Sequence, residues 1–283
     1  MNHGSIDRSS PTSRTDLQSN TVSTPITYRD VLMDRYKLIY DWVPESSPRV
    51  LDIGCGNGNF TKWLTGKAPD VVGLDHNVSQ VTEAIASFDG ISGVAASAED
   101  LPFPTSTFDA VIMSDVLEHL DNPGNALQEA LRVLSDDGVL ITSLPNTGPL
   151  AVLDGDNIVN RFVWMISRLR IPKSRGTDGA PRHFYDGFVF RKHRHFGKRE
   201  IEEMLNGAGL IERHFYGGGL LWPLCYLLEK VLEVFFKKSL VRSDYRILRR
   251  IRALDLRTGM GKWSYNLIVA IRKAGITQRE TQS

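Results

Sequence analysis

The chain has 283 residues, 41% apolar and 24% charged, which excludes a disordered or low-complexity protein and suffices for a sizeable core without disulfides. Its two cysteines, Cys55 and Cys225, lie far apart with no metal-site spacing, which points to a reducing, cytoplasmic setting. The net charge of +1 conceals an asymmetry: residues 160–283 hold 25 Lys/Arg against 11 Asp/Glu, and the first 159 residues hold 9 against 22. That division implies either two surfaces with different partners or clustered, solvated helix faces.

Residues 1–24 are rich in Ser, Thr, Asn and Asp and are expected to form a disordered tail rather than a secretory leader. From 28 to 43 the apolar residues Val31, Leu32, Tyr36, Ile39 and Tyr40 recur at helical spacing, and Pro44 and Pro48 end the run. A strand at 49–53, a glycine turn and a helix at 60–64 follow. Strands at 71–75, 94–97, 108–113 and 138–144 then alternate with helices at 78–86 and 126–134. This alternation predicts parallel βαβ units with right-handed crossovers. Ligands in such sheets bind beyond the carboxyl ends of the strands.

The second half is less regular. An amphipathic helix carries Ile158, Val159, Phe162, Met165, Ile166 and Leu169, and a basic, aromatic stretch follows with His183, Phe184, Tyr185, His193 and His195. No carboxylate or cysteine completes a ligand set around these histidines, so no metal is expected. A helix at 198–208 with Gly209 as its cap, a strand at 210–216 and a last buried strand at 265–271 make the sheet resume after an inserted segment. Gly219 to Phe236 is almost wholly apolar, and basic residues crowd the stretch from Lys237 to Arg252. Glu229, Lys230 and Glu233 make it too charged for a membrane span. It reads either as an interfacial anchor on an anionic membrane or as a cap helix or dimer interface.

The strongest chemical signal is Val50–Leu51–Asp52–Ile53–Gly54–Cys55–Gly56–Asn57–Gly58, a strand running into a glycine turn before a helix. Glycines allow a tight turn and close approach of backbone to ligand. Asp75 closes the next strand, where a carboxylate accepts ribose hydroxyls. Nicotinamide and flavin enzymes share this pattern, but their fingerprint places a glycine where this chain has Asn59. Asp52 would also repel a pyrophosphate while favouring a ligand that carries ammonium and sulfonium charges.

Together with Ala96–Ser97–Ala98–Glu99–Asp100–Leu101–Pro102–Phe103, Phe108–Asp109–Ala110–Val111 and Asp115–Val116–Leu117–Glu118–His119–Leu120, this segment resembles the class I S-adenosylmethionine-dependent methyltransferases. The likeness is to the ubiquinone/menaquinone-methyltransferase-like group, strong over Arg49 to Asn146 and weak over His195 to Leu210.

The resemblance implies a Rossmann-like α/β fold with a mostly parallel seven-stranded sheet, helices on both faces and a helical insertion or cap in the C-terminal half. Residues 25–146 would form the cofactor half, 147–273 the acceptor-side cap and closing strands, and 274–283 a tail. It implies S-adenosylmethionine as cofactor. Asp52, Gly54, Cys55, Gly56 and Gly58 would cradle its methionyl end and Asp75 its ribose. His76 and Asn77 would lie beside the adenine, Ala98 and Glu99 at its border, and Ser114, Asp115 and Val116 behind the sulfonium. Ser97 stands where the group often has an acid, which leaves one adenine bond either weaker or supplied by Glu99.

His119 is the first candidate base, with a packing role as its alternative. The acceptor is expected to be a small or lipid-linked molecule of quinone, isoprenoid or glycan type. An RNA methyltransferase and a non-catalytic binding module remain alternatives, because fold does not fix function.

Overall fold

The computed structural model describes residues 35–154, 194–219 and 259–274 continuously, with shorter stretches at 157–158, 161, 172–175, 181–183, 221, 223–225, 228, 251 and 254–257. The expected tail at 1–24, helical residues 28–34, most of the amphipathic helix after Ile158, Phe184, Tyr185, His193 and the basic run from Lys237 to 250 lie outside these residues.

One helix, α1 (Arg35–Trp42), precedes β1 (Arg49–Ile53). Then come α2 (Thr61–Leu64), β2 (Asp70–Asp75), α3 (Val78–Ser87), β3 (Ile91–Ala95), β4 (Phe108–Ser114), α4 (Pro123–Val133) and β5 (Leu134–Pro145). A short hairpin, β6 (Pro172–Arg175) and β7 (Pro181–His183), stands apart from the main sheet, in a stretch where the sequence suggests no strands. The chain finishes with α5 (Lys198–Leu205), β8 (Gly209–Gly217) and β9 (Asn266–Lys273).

The seven-stranded sheet runs β3-β2-β1-β4-β5-β9-β8. The first five strands in that order are mutually parallel, and β9 lies antiparallel between β5 and β8. The order reverses between β1 and β4, so the crevice for a ligand opens there, at the strands' carboxyl ends.

Both faces are covered, which is why the central strands read as continuous apolar runs rather than alternating ones. Leu51, Ile53, Val111 and Met113 pack with α4 and with Ile201 and Leu205 of α5. Val50, Val71, Ala110 and Ile112 pack on the other face with Ile39, Tyr40 and Val43 from α1 and its exit, and with Leu64 of α2. Phe108, fully buried, meets Phe103 edge to face at 5.0 Å and anchors the start of β4.

Several boundaries differ from the sequence reading, those of β3 and α5 among them. The third strand starts at Ile91 and ends at Ala95 rather than spanning 94–97. Helix α5 ends at Leu205, and Asn206 (φ 47°) with Gly207 (φ 73°) supplies the left-handed exit. Gly209, expected as the cap, instead opens β8 opposite Lys273. Asn is among the few residues that tolerate that conformation, so the helix stops one turn earlier than its glycine suggests.

Candidate functional site

A pocket of about 410 Å³ opens at the carboxyl ends of β1, β2 and β4, a size usual for small-molecule sites. Its wall is Ile53, Gly54, Leu74, Asp75, His76, Ala96, Ser97, Ala98, Glu99, Asp115, Val116, His119, Leu120 and Asp121. Of the residues picked from sequence, Gly54, Asp75, His76, Ala98, Glu99, Asp115, Val116 and His119 therefore converge on one cavity. Asp52, Cys55, Gly56, Gly58, Asn77 and Ser114 do not line it.

The glycine turn explains the pocket's floor. Gly54 N–H and Cys55 N–H both donate to Leu74 O, at 2.7 and 3.0 Å, which lashes the turn to the end of β2. Gly54 adopts φ +76°, and a Cβ there would sit 2.5 Å from Val116 Cγ2. Glycine is required on both counts. The Cys55 thiol turns away toward Gly73, and burial, with Asp52 and Asp75 nearby, pushes it up to about 12. It is an inert packing group.

Asp75 is held for acceptance. Its Oδ2 takes the Gly56 N–H at 3.0 Å and its Oδ1 the Asn77 N–H at 2.9 Å, while the side chain is 12% exposed. Two backbone donors lock the carboxylate and leave lone pairs for a ligand. Asn77 is spent on capping α3 through Ser79 and Gln80 N–H. His76 lies at the rim with its Nδ1 3.2 Å from Asp75.

Asp52 is buried at 3% exposure and accepts the Thr61 hydroxyl at 2.6 Å. Loss of water around the carboxylate is the main cause that lifts it to about 7, against the lowering effect of Thr61, and the Asp75 charge adds to the rise. Glu99 accepts the Asn122 N–H at 2.9 Å, and Ser97 Oγ accepts the Glu99 N–H at 3.1 Å. The hydroxyl proton of Ser97 is left to donate, the reverse of what a carboxylate there would do.

Asp115 has φ +54°, uncommon outside glycine. Its N–H donates to Ser143 O at 2.9 Å and its Oδ1 accepts the Ser143 hydroxyl at 3.3 Å. Ser114 meets the same Ser143 hydroxyl at 2.9 Å. The other Asp115 oxygen forms an ion pair with Arg35 of α1, a partner eighty residues away that no sequence pattern marks. His119, exposed in the turn after β4, lines the same cavity.

His195 lies elsewhere, 3.0 Å from the fully buried Asp154 and 6.3 Å ring to ring from Tyr265. That pair ties the segment leaving β5 to the one entering α5. Among the described residues no group of three or more His, Cys, Asp or Glu could hold a metal.

Residues 51–142 match the family model described as a methyltransferase domain. A probable S-adenosylmethionine-dependent methyltransferase of Mycobacterium tuberculosis is 29% identical over 40% of this chain and 42% of its own length. A ubiquinone/menaquinone biosynthesis C-methyltransferase of Desulfotalea psychrophila is 28% identical over 59% of this chain and 67% of its own. The aligned chain thus spans about two fifths of the first relative and two thirds of the second. Among solved structures, the [4+2]-cyclase SpnF superposes with a TM-score of 0.53 at 17% identity, covering 84% of this chain and 80% of that one. This last likeness concerns the fold alone.

Proposed function

We propose that this chain, whose residues 51–142 match a methyltransferase domain, is a class I S-adenosylmethionine-dependent methyltransferase that binds its cofactor in the β1–β2–β4 pocket and methylates a small or lipid-linked acceptor. The observation that carries the reading is the acid-lined pocket over a glycine turn that a single Cβ at Gly54 would obstruct. When bound, the cofactor supplies an electrophilic methyl group on a sulfonium.

The protein's share is binding, orientation and exclusion of water. Asp75 accepts the ribose hydroxyls. Ala98 and Ser97 would border the adenine, the Ser97 hydroxyl offering a donor where a carboxylate would offer only acceptors. The Asp52 charge, buried behind Ile53 and Gly54, favours a cationic ligand through space. Val116 closes the pocket beside Gly54. His119, one of two histidines lining the pocket, is the candidate to take a proton from an acceptor that must lose one.

For the acceptor, a lipid-linked molecule of quinone, isoprenoid or glycan type has the better support. The Desulfotalea relative's name concerns quinone synthesis. Helical residues Leu221, Leu224 and Leu228 are exposed at 50%, 42% and 47%, a spacing that puts them on one stripe. Val152, Met260 and Trp263 are also exposed, on segments that meet where Gly148 approaches Lys262. No helix among the described residues is long and apolar enough to cross a membrane.

Two experiments test this. With methyl-tritiated S-adenosylmethionine and a bacterial lipid extract, label is expected in the organic phase; label found in RNA alone would contradict the acceptor class. In flotation with vesicles of anionic lipid at low salt, the protein is expected to rise with them. Replacing Leu221, Leu224 and Trp263 by glutamate should leave most of it behind, because each substitution removes apolar contact and adds repulsion. Equal recovery of native and substituted protein would end the membrane reading.

A further inference from the structure

Exposed apolar side chains are gathered at one place on this protein. Of the ten bulky ones exposed among the described residues, seven lie in three short stretches, 148–154, 217–228 and 254–264, with Val152 at 75% and Leu254 at 65%. The other three, Val78, Ile85 and Leu210, are scattered over α3 and the start of β8. Scattered apolar residues are ordinary on a protein surface, whereas a gathered set marks a face that something covers.

The sheet brings the three stretches together. Pro145 at the end of β5 and Gly217 at the end of β8 both pair with Asn266, where β9 begins. Asn146 N–H donates to Tyr265 O at 2.7 Å and its side-chain amide to Ser264 O at 2.8 Å, while Tyr265 N–H donates to Gly218 O at 2.8 Å. Leu256 packs with Tyr265, Leu150 and Phe215, and a Cβ at Gly217 would lie 2.7 Å from the Leu256 side chain. The exposed residues therefore stand on a fastened seat at the carboxyl end of β5.

The charges on these stretches fit an anionic surface. Arg257 and Lys262 are exposed, whereas Asp154 and Asp255 are buried. The sequence that joins the second stretch to the third holds the basic run from Lys237 to Arg252. An apolar face flanked by cations suits a bilayer of anionic lipid. It suits a second copy less, because a two-fold interface would bring like charges together. The cofactor pocket opens on the same rim, at the carboxyl ends of β1, β2 and β4. Strands β4 and β9 are two strand spacings apart, roughly 10 Å.

We propose that the carboxyl end of the sheet faces the membrane: the β5–β9–β8 half docks on an anionic bilayer, and the pocket beside it takes its acceptor directly from the headgroup layer. The inference rests on the membrane and acceptor reading above and adds to it the orientation of the docked protein and the part of the acceptor that reacts. The reactive atom belongs to the headgroup end of an amphiphile, since a group deep among the acyl chains lies out of reach of a pocket on the aqueous rim.

Two measurements test it. Val152→Cys and Met260→Cys, each labelled with a nitrobenzoxadiazole dye, report whether those positions enter a bilayer; Ile85→Cys and Leu210→Cys are the controls, and the native Cys55 and Cys225 are buried. On addition of phosphatidylglycerol vesicles at low salt, dye at 152 and 260 should brighten and shift to the blue, with dye at 85 and 210 unchanged. Equal responses at all four positions, or none at any, would overturn the orientation. Brightening at 152 and 260 that needs only concentrated protein and no vesicles would give the face to a second copy and overturn it too. Calorimetry with S-adenosylmethionine on the same variants keeps these failures distinct from failure of the cofactor reading.

For acceptor delivery, the vesicles carry a bacterial lipid extract and the protein is given methyl-tritiated S-adenosylmethionine. Val152→Glu combined with Met260→Glu should lower vesicle binding and transfer of label to lipid together, each roughly tenfold or more, with affinity for S-adenosylmethionine unchanged. Loss of vesicle binding with a native rate of transfer would overturn delivery from the bilayer. No label in lipid from the native protein would overturn the lipid acceptor and its delivery together.

Discussion

Replacing Asp52 by Asn is expected to stabilise the protein relative to the native chain increasingly as pH rises from 5 to 8. The folded carboxyl is lifted from 3.8 to about 7 because it is buried, and the Thr61 bond only partly offsets that cost. A raised carboxyl binds its proton more tightly in the folded state than in the unfolded one. The stability it contributes is therefore complete below the unfolded value and lost as pH climbs through the folded one. A tenfold difference in proton affinity between the two states is worth about 1.4 kcal/mol. The native protein should accordingly lose roughly 2 to 3 kcal/mol between pH 5 and 8 relative to Asp52→Asn. Urea melts of both proteins at the two pH values measure it. Parallel curves would mean that the group does not titrate in this range. The same variant lacks the negative charge behind the glycine turn, so its gain in stability should come with weaker binding of a cationic ligand. That trade is the mark of a residue kept for function at the expense of stability.

The second large effect is expected from Asp75→Ala. Gly56 and Asn77 N–H groups hold this carboxylate in one orientation at the pocket wall. Removing it should cost S-adenosylmethionine roughly 1.5 to 3 kcal/mol for each ribose bond to the charged group. The two N–H donors would lose their partner as well, so the turn itself should loosen. 5′-Methylthioadenosine, which keeps the ribose and lacks the amino-acid end, should suffer equally. Unchanged affinity for both ligands in Asp75→Ala would remove Asp75 from the ribose role.

The half of the fold that holds the pocket is legible in sequence because its signals are local. Continuous apolar strands, a glycine turn and acids at strand ends sit within a few residues of one another. The structure gathers around one cavity eight of the residues picked from the sequence, most of them through the family resemblance. The sequence misplaces β3 because the strand's centre is Gly93, where a Cβ would come within 3 Å of Ile85 and Val81 of α3. A glycine that serves packing looks, in sequence, like a break in the strand.

Arg35 escapes a sequence reading for another reason. Its partner is eighty residues away, and nothing in the pattern of α1 sets one charged residue above another. Asp52 looks, from its spacing, like a charge facing the ligand, whereas it lies behind the wall and binds Thr61. Spacing places a residue on a strand, but only packing decides which side of a turn its carboxylate occupies.

The likeness to a cyclase at a TM-score of 0.53 shows why binding must be measured rather than inferred from architecture. Titration calorimetry with S-adenosylmethionine and, separately, with NADH tests the central claim most directly. Saturable binding of S-adenosylmethionine is expected, and no heat from NADH, whose pyrophosphate would meet the acid-lined pocket. Binding of NADH alone, or of neither ligand, would contradict it.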